Sequence, residues 1–294
     1  MVKTINYKLA TIFILLGSVL FGGGYVVSVI GLGHGLTPLE LIAGRMFIAS
    51  VLLNIIFFKK IITNSPAEII AGIILGITMF GAFTFQKIGL QYTTASISAF
   101  ISSIYVVIIP FIHWMYYKKA PDRFSNMGAV LTIIGVGFIS LNDGLYISLG
   151  ITLTLICAVF NAVQIFSMEI YNKKFDPIKL TVTMMNTCFI ASFLLTIYLQ
   201  DFYSHQTLVF EPVNIAVLFY LGIMSTILPF LLQNIGQKYV SATKASLMMS
   251  TEAIFGTLFS IIVFSEALNA QMIIGCFLII AAIVIAETKL QFKD

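Results

Sequence analysis

The chain has 294 residues, of which 59% are hydrophobic and only 10% are charged, and its mean hydropathy is +1.03. Soluble domains are about 25% charged, so these charges are too few to cover the surface of a soluble fold. The composition also excludes a disordered chain. The three cysteines Cys157, Cys188 and Cys276 lie inside apolar runs, which argues against a disulfide scaffold or a metal cluster. The sequence therefore predicts an all-α integral membrane protein.

Ten apolar segments are long enough to cross a bilayer, which takes about 20 residues of helix. In chain order they are 9–29, 38–58, 67–86, 95–117, 124–141, 148–170, 178–199, 213–235, 242–265 and 270–287. Lys3 and Lys8 precede the first segment as in a signal peptide, but this segment is too long and lacks a clear cleavage site. We interpret it as a retained first transmembrane helix.

The positions of lysine and arginine predict the orientation. With both termini in the cytoplasm, fourteen of the sixteen lysines and arginines lie at cytoplasmic ends and loops. Lys87 falls at the opposite, outer face, where Glu266 is also expected, and Arg45 lies within the second segment. We expect a structural role for Arg45, either snorkelling outward or pairing with an acid. The bias explains the net charge of +4 without a nucleic-acid partner, and it favours a bacterial inner membrane.

The two halves of the chain resemble each other. Four residues recur 147 positions later: Gln86, Ile88, Gly89 and Tyr92 match Gln233, Ile235, Gly236 and Tyr239. For the first two segments the offset is 139, as in Phe21 with Phe160, Ser28 with Ser167 and Pro38 with Pro177. Five spans per half place the second half upside down in the membrane. The sequence predicts two inverted five-helix repeats, residues 1–143 and 144–294.

Three stretches carry a resemblance to a known family. They are Phe85–Ala95, its partner Gln233–Ala242, and the segment from Glu252 to Glu266. Together with the five-plus-five arrangement they resemble the EamA-type branch of the drug/metabolite transporter superfamily. The family often has proline after the first of these glutamates, where this chain has Ala253. The resemblance implies a secondary transporter of small organic solutes, often an exporter, with no cofactor.

Glu252 is the leading candidate for a coupling or binding residue. It lies ten residues into the ninth segment, about 15 Å from the cytoplasmic end and so near the midplane. Ionisable groups at this depth are costly and are functional candidates by default. Glu252 either exchanges a proton during the transport cycle or serves as a structural carboxyl. Its counterpart at the 147 offset is Tyr105.

Other polar side chains within the segments are candidates for solute binding. They are Tyr25, Ser103, Asn161, Gln164, Gln233 and Ser250. Asn161 and Gln164 are three residues apart and share a helix face. The alternative for this set is helix packing, because small and polar residues are common at transmembrane contacts. The sequence offers no catalytic and no metal-binding set.

Two features are candidates for hinges. Pro110 removes one backbone hydrogen bond from its helix. Gly22, Gly23 and Gly24 permit either a close contact or a local break in the first helix.

The sequence thus favours a secondary transporter, an exporter of metabolites or drugs, that works by alternating access and is coupled to protons through Glu252. The alternatives are an importer or facilitator of an amino acid, sugar or vitamin, and a scaffold subunit that transports nothing. An intramembrane protease is disfavoured because no aspartate lies mid-span and H-E-x-x-H is missing. The expected partners are a small solute, protons and membrane lipid, and the sequence leaves the oligomeric state open.

Overall fold

The structure is a computed structural model that describes residues 7–118, 120, 123–140, 148–199, 211–266 and 269–288. Every regular element in these residues is helical. The helices are α1 (Tyr7–Gly33), α2 (Pro38–Ile56), α3 (Phe58–Ile61), α4 (Pro66–Gly89), α5 (Ala95–Ser102), α6 (Tyr105–Tyr117), α7 (Arg123–Ser140), α8 (Leu149–Asn172), α9 (Pro177–Tyr198), α10 (Pro212–Gly222), α11 (Leu228–Gln237), α12 (Ala242–Met249), α13 (Thr251–Phe264) and α14 (Ala270–Thr288). A 3₁₀ turn, Leu90–Tyr92, extends α4, and a π turn, Ile223–Ile227, joins α10 to α11.

All ten predicted segments are helical. Eight helices in the described residues are long and apolar enough to cross a membrane. The segments of α7 and α14 have shorter apolar stretches, Asn126–Gly135 and Ala270–Ala282. The number of crossings and the orientation of the termini therefore stay predictions. The predicted boundary between the halves, at 143 and 144, and residues 1–6 and 289–294 lie outside the described residues.

Several helices begin abruptly at a proline that follows a capping residue. The Thr37 hydroxyl accepts from the Glu40 N–H, and Glu40 in turn accepts from the Thr37 N–H, ahead of Pro38. Asp176 caps α9 ahead of Pro177 by accepting from the Ile178 N–H at 2.8 Å. Proline fits the first helical position because that N–H has no partner within the helix. Thr37 and Asp176 are 139 positions apart, as the repeat requires.

The fourth and ninth segments are each interrupted at the same place in the repeat. The first break separates α5 from α6 at Ser103 and Ile104, where the Val106 N–H donates to the Ser103 carbonyl at 3.1 Å. The second separates α12 from α13 at Ser250, and the Ala253 N–H donates to the Ser250 carbonyl at 3.1 Å. Both serines and both donors are related by the 147 offset.

The hinge candidates lie elsewhere. Pro110 sits inside α6, which continues on both sides of it. Gly22–Gly24 sit inside the uninterrupted α1, so of the two expectations the close contact is the one observed. A Cβ on Gly22 would lie 2.9 Å from the Gly256 nitrogen, and one on Gly23 would lie 2.6 Å from the Tyr220 hydroxyl.

The first helix of each predicted half packs against helices of the other half. α1 packs on α11 and α13, and α8 packs on α4, α5 and α6. The first helix of each predicted half therefore contacts the third and fourth spans of the other. Two further contacts, α2 with α9 and α7 with α14, join equivalent helices.

The glycines of the repeated motif allow these close approaches. A Cβ on Gly89 would lie 3.1 Å from the Gly150 carbonyl oxygen, and one on Gly236 would lie 3.0 Å from the Ala10 carbonyl oxygen. Each glycine thus brings the end of a third span against the beginning of the other half's first helix.

Candidate functional site

A cavity of about 50 Å³ lies among α1, α2, α4, α6, α8, the π turn, α11, α12 and α13. Its walls are formed by Phe21, Gly24, Tyr25, Arg45, Phe83, Gln86, Lys87, Tyr105, Asn161, Gln164, Ile165, Ser225, Phe230, Gln233, Met249 and Glu252. Its wall combines charged, polar and aromatic side chains.

Six of the eight residues proposed from the sequence for binding or coupling lie in this wall. They are Tyr25, Tyr105, Asn161, Gln164, Gln233 and Glu252. Ser103 and Ser250 lie instead at the two helix breaks, where their hydroxyls donate to the carbonyls of Ala99 at 2.9 Å and Leu247 at 2.6 Å. Their bonds are local, and a role in binding stays a prediction.

Glu252 and Tyr105 meet in the cavity wall. The Tyr105 hydroxyl donates to Glu252 Oε1 at 3.4 Å, and both residues are buried. The two positions are 147 apart, which is the repeat offset. Residues related by a two-fold axis touch each other only when they lie close to that axis. An axis relating the two halves would therefore pass through the cavity.

Tyr25 is held by two hydrogen bonds to different helices. Its hydroxyl shares a hydrogen bond of 2.5 Å with Ser102 Oγ of α5 and accepts from Gln86 Nε2 of α4 at 3.0 Å. The counterpart of Gln86, Gln233, donates to Met168 Sδ and Gln237 Oε1, both at 3.3 Å. Its own amide oxygen is buried without a hydrogen-bond partner among the described residues.

Arg45 is a second charged residue of the wall, and neither of the two arrangements expected for it is observed. It neither snorkels outward nor pairs with an acid in the described part of the chain, since it is 1% exposed. Its Nε donates to Thr226 Oγ1 at 2.8 Å and its Nη2 to the Ser225 carbonyl at 2.6 Å. These acceptors belong to the π turn, whose i→i+5 bonding makes them available to a side chain from another helix.

Lys87 was also misplaced by the sequence. It was expected at the outer face, but it is 2% exposed and lines the cavity. α4 runs on to Gly89, and the contact between Gly89 and Gly150 covers its end. Helical side chains lean toward the helix N-terminus, so a lysine near the end of α4 reaches back into the bundle. Its Nζ lies 5.5 Å from the centre of the Tyr25 ring and 6.0 Å from that of Phe83.

Two carboxylates mark the ends of the interrupted segments. Glu169 of α8 accepts from the Ala242 N–H at 2.9 Å, at the start of α12, and from Lys173 Nζ at 2.7 Å. Glu266, which follows α13, accepts from Ser96 Oγ at 2.8 Å, in the first turn of α5, and from Ser260 Oγ. Each carboxylate therefore ties a different helix to the first turn of an interrupted segment.

The described residues contain no cluster of three or more metal-binding side chains, and Cys157, Cys188 and Cys276 are free and buried. The wall is thus built from one carboxyl, two cations, amides and aromatic rings. Such a set recognises solutes by charge, hydrogen bonds and apolar contact.

Comparison with known proteins decides the family. The model of the EamA-like transporter family matches residues 8–141 and again residues 148–288. The chain belongs to the EamA-like transporter family. The resemblance to the drug/metabolite transporter superfamily is thereby confirmed. This EamA-like chain is a multi-pass membrane transporter of a small solute.

Two individual similarities agree with this membership. An uncharacterized transporter of Archaeoglobus fulgidus is 32% identical over 218 residues, which cover 74% of this chain and 68% of that protein. A crystal structure of 15% identity matches 97% of this EamA-like chain and is itself matched over 99%, with a TM-score of 0.69. At that identity the second similarity shows the fold alone.

Proposed function

We propose that this protein is a secondary transporter that carries a small organic solute through the central cavity by alternating access. The observation that carries the proposal is the contact between Tyr105 and Glu252, two repeat-related residues in the cavity wall. Two similar halves that meet at a binding site can exchange conformations, which opens the site first to one side and then to the other.

The topology that we propose has ten spans, in two inverted halves of residues 1–143 and 144–294, with both termini in the cytoplasm of a bacterial inner membrane. The packing of α1 and α8, each against helices of the opposite half, supports the inverted repeat. The burial of Lys87 supports the orientation, because this was the single cation assigned to the outer face. Without it, the bias of positive charge toward the cytoplasm is stronger.

The moving parts proposed here are the two interrupted segments. The breaks at Ser103–Ile104 and Ser250 divide each segment into a short and a long helix. Glu169 and Glu266 hold the first turns of α12 and α5. Release of one carboxylate contact and formation of the other would tilt one short helix at a time. Pro110 and Gly22–Gly24 remain candidates for further flexibility.

Glu252 is the proposed site of proton coupling. Titratable groups from four other helices interact with it: Tyr25 of α1, Lys87 of α4, Tyr105 of α6 and Cys157 of α8. A carboxyl in this position changes the charge of the cavity when it binds or loses a proton. Proton binding would then change the affinity of the cavity for a charged solute, which is the requirement for coupling.

Export is the direction that the family resemblance favours. An importer or facilitator of an amino acid, sugar or vitamin would use the same cavity and differ only in the direction of the driving gradient. A non-transporting scaffold would need no access to the cavity from either side of the membrane.

Access to the cavity can be tested without knowing the solute. Asn161→Cys, in a background where the three native cysteines are alanine, places one thiol in the wall. We expect a membrane-impermeant maleimide to label it both in intact cells and in inside-out vesicles. Ile190→Cys, on the exposed side of α9, is the control that should remain unlabelled. Labelling of Asn161→Cys from one side only, or from neither, would contradict alternating access.

The same thiol reports on coupling. We expect a pH gradient across the vesicle membrane to change the ratio of labelling from the two sides. Glu252→Gln keeps the size of the side chain and should abolish this pH response. A pH response that persists in Glu252→Gln would exclude Glu252 as the coupling residue while leaving alternating access intact.

A further inference from the structure

The ammonium group of Lys87 is buried, and no carboxylate of the described residues lies within 4.0 Å of it. In the residues that the structure describes, Lys87 makes no hydrogen bond and no ion pair, and its neighbours are the rings of Tyr25 and Phe83. Cation–π contacts stabilise a desolvated ammonium only in part. A buried unpaired charge costs more than these contacts supply, which leaves Lys87 in need of an anion.

Arg45 offers a second cationic group to the same cavity. Its guanidinium carbon lies 4.5 Å from the centre of the Phe83 ring, which Lys87 also faces. The π turn engages Nε and Nη2. Within the described part of the chain no acceptor is bonded to Nη1, so two N–H groups of the fork remain. Each of these N–H groups can donate a charge-assisted hydrogen bond to a carboxylate oxygen.

The charges of the wall do not balance. Arg45 and Lys87 face a single carboxyl, Glu252, and neither cation lies within 4.0 Å of a described carboxylate. With Glu252 ionised the wall carries one net positive charge. A solute with one negative charge restores neutrality inside the protein.

The remaining wall favours an organic rather than an inorganic anion. Phe21, Phe83 and Phe230 supply apolar surface, and the ring centroids of Phe21 and Phe230 lie 5.0 Å apart. The amide oxygen of Gln233 is buried without a donor among the described residues. A short apolar body contacts the rings, and a hydroxyl group on it would donate to the Gln233 oxygen.

We infer that the cavity binds a small organic monocarboxylate, whose carboxylate is held by Lys87 Nζ and Arg45 Nη1. This inference rests on the proposed function and names its substrate class. A phosphate monoester carries about 1.5–2 negative charges at neutral pH. With Glu252 ionised, this charge exceeds the single net positive charge of the wall, so the carboxylate is preferred in that state.

The test compares matched carboxylates and amides on the purified full chain in detergent at constant ionic strength. The probes are butyrate, benzoate and phenylacetate, the corresponding amides, and phenyl phosphate. A ligand that binds only the folded state raises the unfolding temperature by mass action. We expect at least one carboxylate to raise it in a saturable manner, while its amide does not and phenyl phosphate binds more weakly.

Three variants locate the effect. Lys87→Met removes the charge and should weaken carboxylate binding by about tenfold or more. Lys87→Arg keeps the charge and should retain most of the affinity. Lys238→Met removes an exposed lysine and is the matched control. The wild-type comparison of acid with amide stands even if Lys87→Met fails to fold.

Three results would overturn the inference. They are equal stabilisation by acids and amides, unchanged affinity in Lys87→Met, and no stabilisation by any carboxylate. Tighter binding of phenyl phosphate would assign the cavity to a different class of anion. None of these outcomes affects the labelling of Asn161→Cys from both sides, so failure of the substrate class is distinguishable from failure of the proposed transport function.

Discussion

The two halves of this transporter are alike in geometry and unlike in chemistry. The break at Ser103 matches that at Ser250, and the glycine contact at Gly89 matches that at Gly236. At the 147 offset, however, Lys87 corresponds to Asn234. At the 139 offset, Arg45 corresponds to Met184.

The matched positions and the unmatched positions therefore serve different purposes, the first in backbone packing and the second in the charge of the cavity. Under the proposed alternating access, the matched backbone contacts would let both halves adopt either of two arrangements. The unmatched side chains set the charge of the cavity: both cations come from the first half, and the carboxyl comes from the second. Replacing a residue of one half by its counterpart from the other half therefore tests whether that position serves packing or cavity charge.

The largest effect is expected from exchanging Lys87 and Asn234. Asn234 is fully buried and accepts from Asn172 Nδ2 at 2.9 Å, and it does not line the cavity. Asn234→Lys should destabilise the fold by about 3–5 kcal/mol, because it buries an uncompensated charge. Lys87→Asn removes an unpaired charge and should leave the unfolding temperature in detergent unchanged or higher. Equal tolerance of both changes would mean that the two positions are equivalent.

The paired glycines test the matched part of the comparison. A Cβ on Gly236 would lie 2.6 Å from Ile14 Cγ1, and one on Gly89 would lie 3.1 Å from Thr154 Oγ1. Gly236→Leu and Gly89→Leu should each cost about 1–3 kcal/mol through overpacking. Gly33→Leu is the control, since a Cβ there meets nothing within 4 Å. Unfolding temperatures that fall for one glycine only would show that the two contacts differ in importance.

A smaller effect is expected at Tyr25 and its counterpart at the 139 offset, Gln164. Tyr25→Phe leaves the Gln86 amide without its acceptor and should cost about 1–3 kcal/mol. Among the described residues Gln164 donates only to Met184 Sδ, at 3.5 Å, so Gln164→Met should cost less than about 1 kcal/mol. Thermal unfolding of both variants measures the difference, and a larger loss in Gln164→Met would contradict it.

The smallest effect concerns the two helix caps, Thr37 and Asp176. Partial burial opposes ionisation of Asp176, but hydrogen bonds from Lys60 Nζ at 2.7 Å and from the Ile178 N–H prevail and lower its pKa. Its stabilising effect is therefore complete above about pH 4, the ordinary value for aspartate, and is lost as the pH falls through the lowered value.

Asp176→Asn keeps the cap and should cost less than about 1 kcal/mol at neutral pH, since the pair is partly exposed. The difference from wild type should shrink as the pH falls below about 4. Thr37→Asn, which changes an uncharged cap, should show no such pH dependence. A difference that grows on acidification would contradict the assignment.

The sequence predicted the helices well because their signals are local. Apolar length and proline after a capping residue locate α2 and α9 within a residue or two. It also found six wall residues, because polar groups inside apolar segments are rare and face the interior of the bundle.

It missed Arg45 and Lys87 because their positions depend on tertiary contacts. The end of α4 is covered by α8, and only that contact turns a residue near a span end into a cavity residue. Composition alone places such a lysine at the membrane surface. A charged residue beside the repeated glutamine and glycine was the available signal.

The breaks between α5 and α6 and between α12 and α13 have a local signal in the sequence, namely adjacent hydroxyl residues. Ser102 and Ser103 both donate to the Ala99 carbonyl, at 3.1 and 2.9 Å, and Ser250 and Thr251 donate to carbonyls three residues back. Adjacent hydroxyl residues compete with the backbone for these carbonyls. One such pair lies at each break, whereas Pro110 lies inside an uninterrupted helix. The adjacent hydroxyl residues therefore indicate the breaks better than Pro110 does.

The π turn Ile223–Ile227 corresponds to a difference in chain length. Leu75, Gly76 and Ile77 recur 146 positions later as Leu221, Gly222 and Ile223, whereas the Gln86 motif recurs after 147. The second half therefore carries one surplus residue in this span, and the widened turn absorbs it. Deleting that residue would rotate α11 by about 100° and carry Phe230 and Gln233 away from the cavity. It would also remove the acceptors of Arg45. One inserted residue therefore sets the orientation of α11 and provides the hydrogen-bond acceptors that hold Arg45 in place.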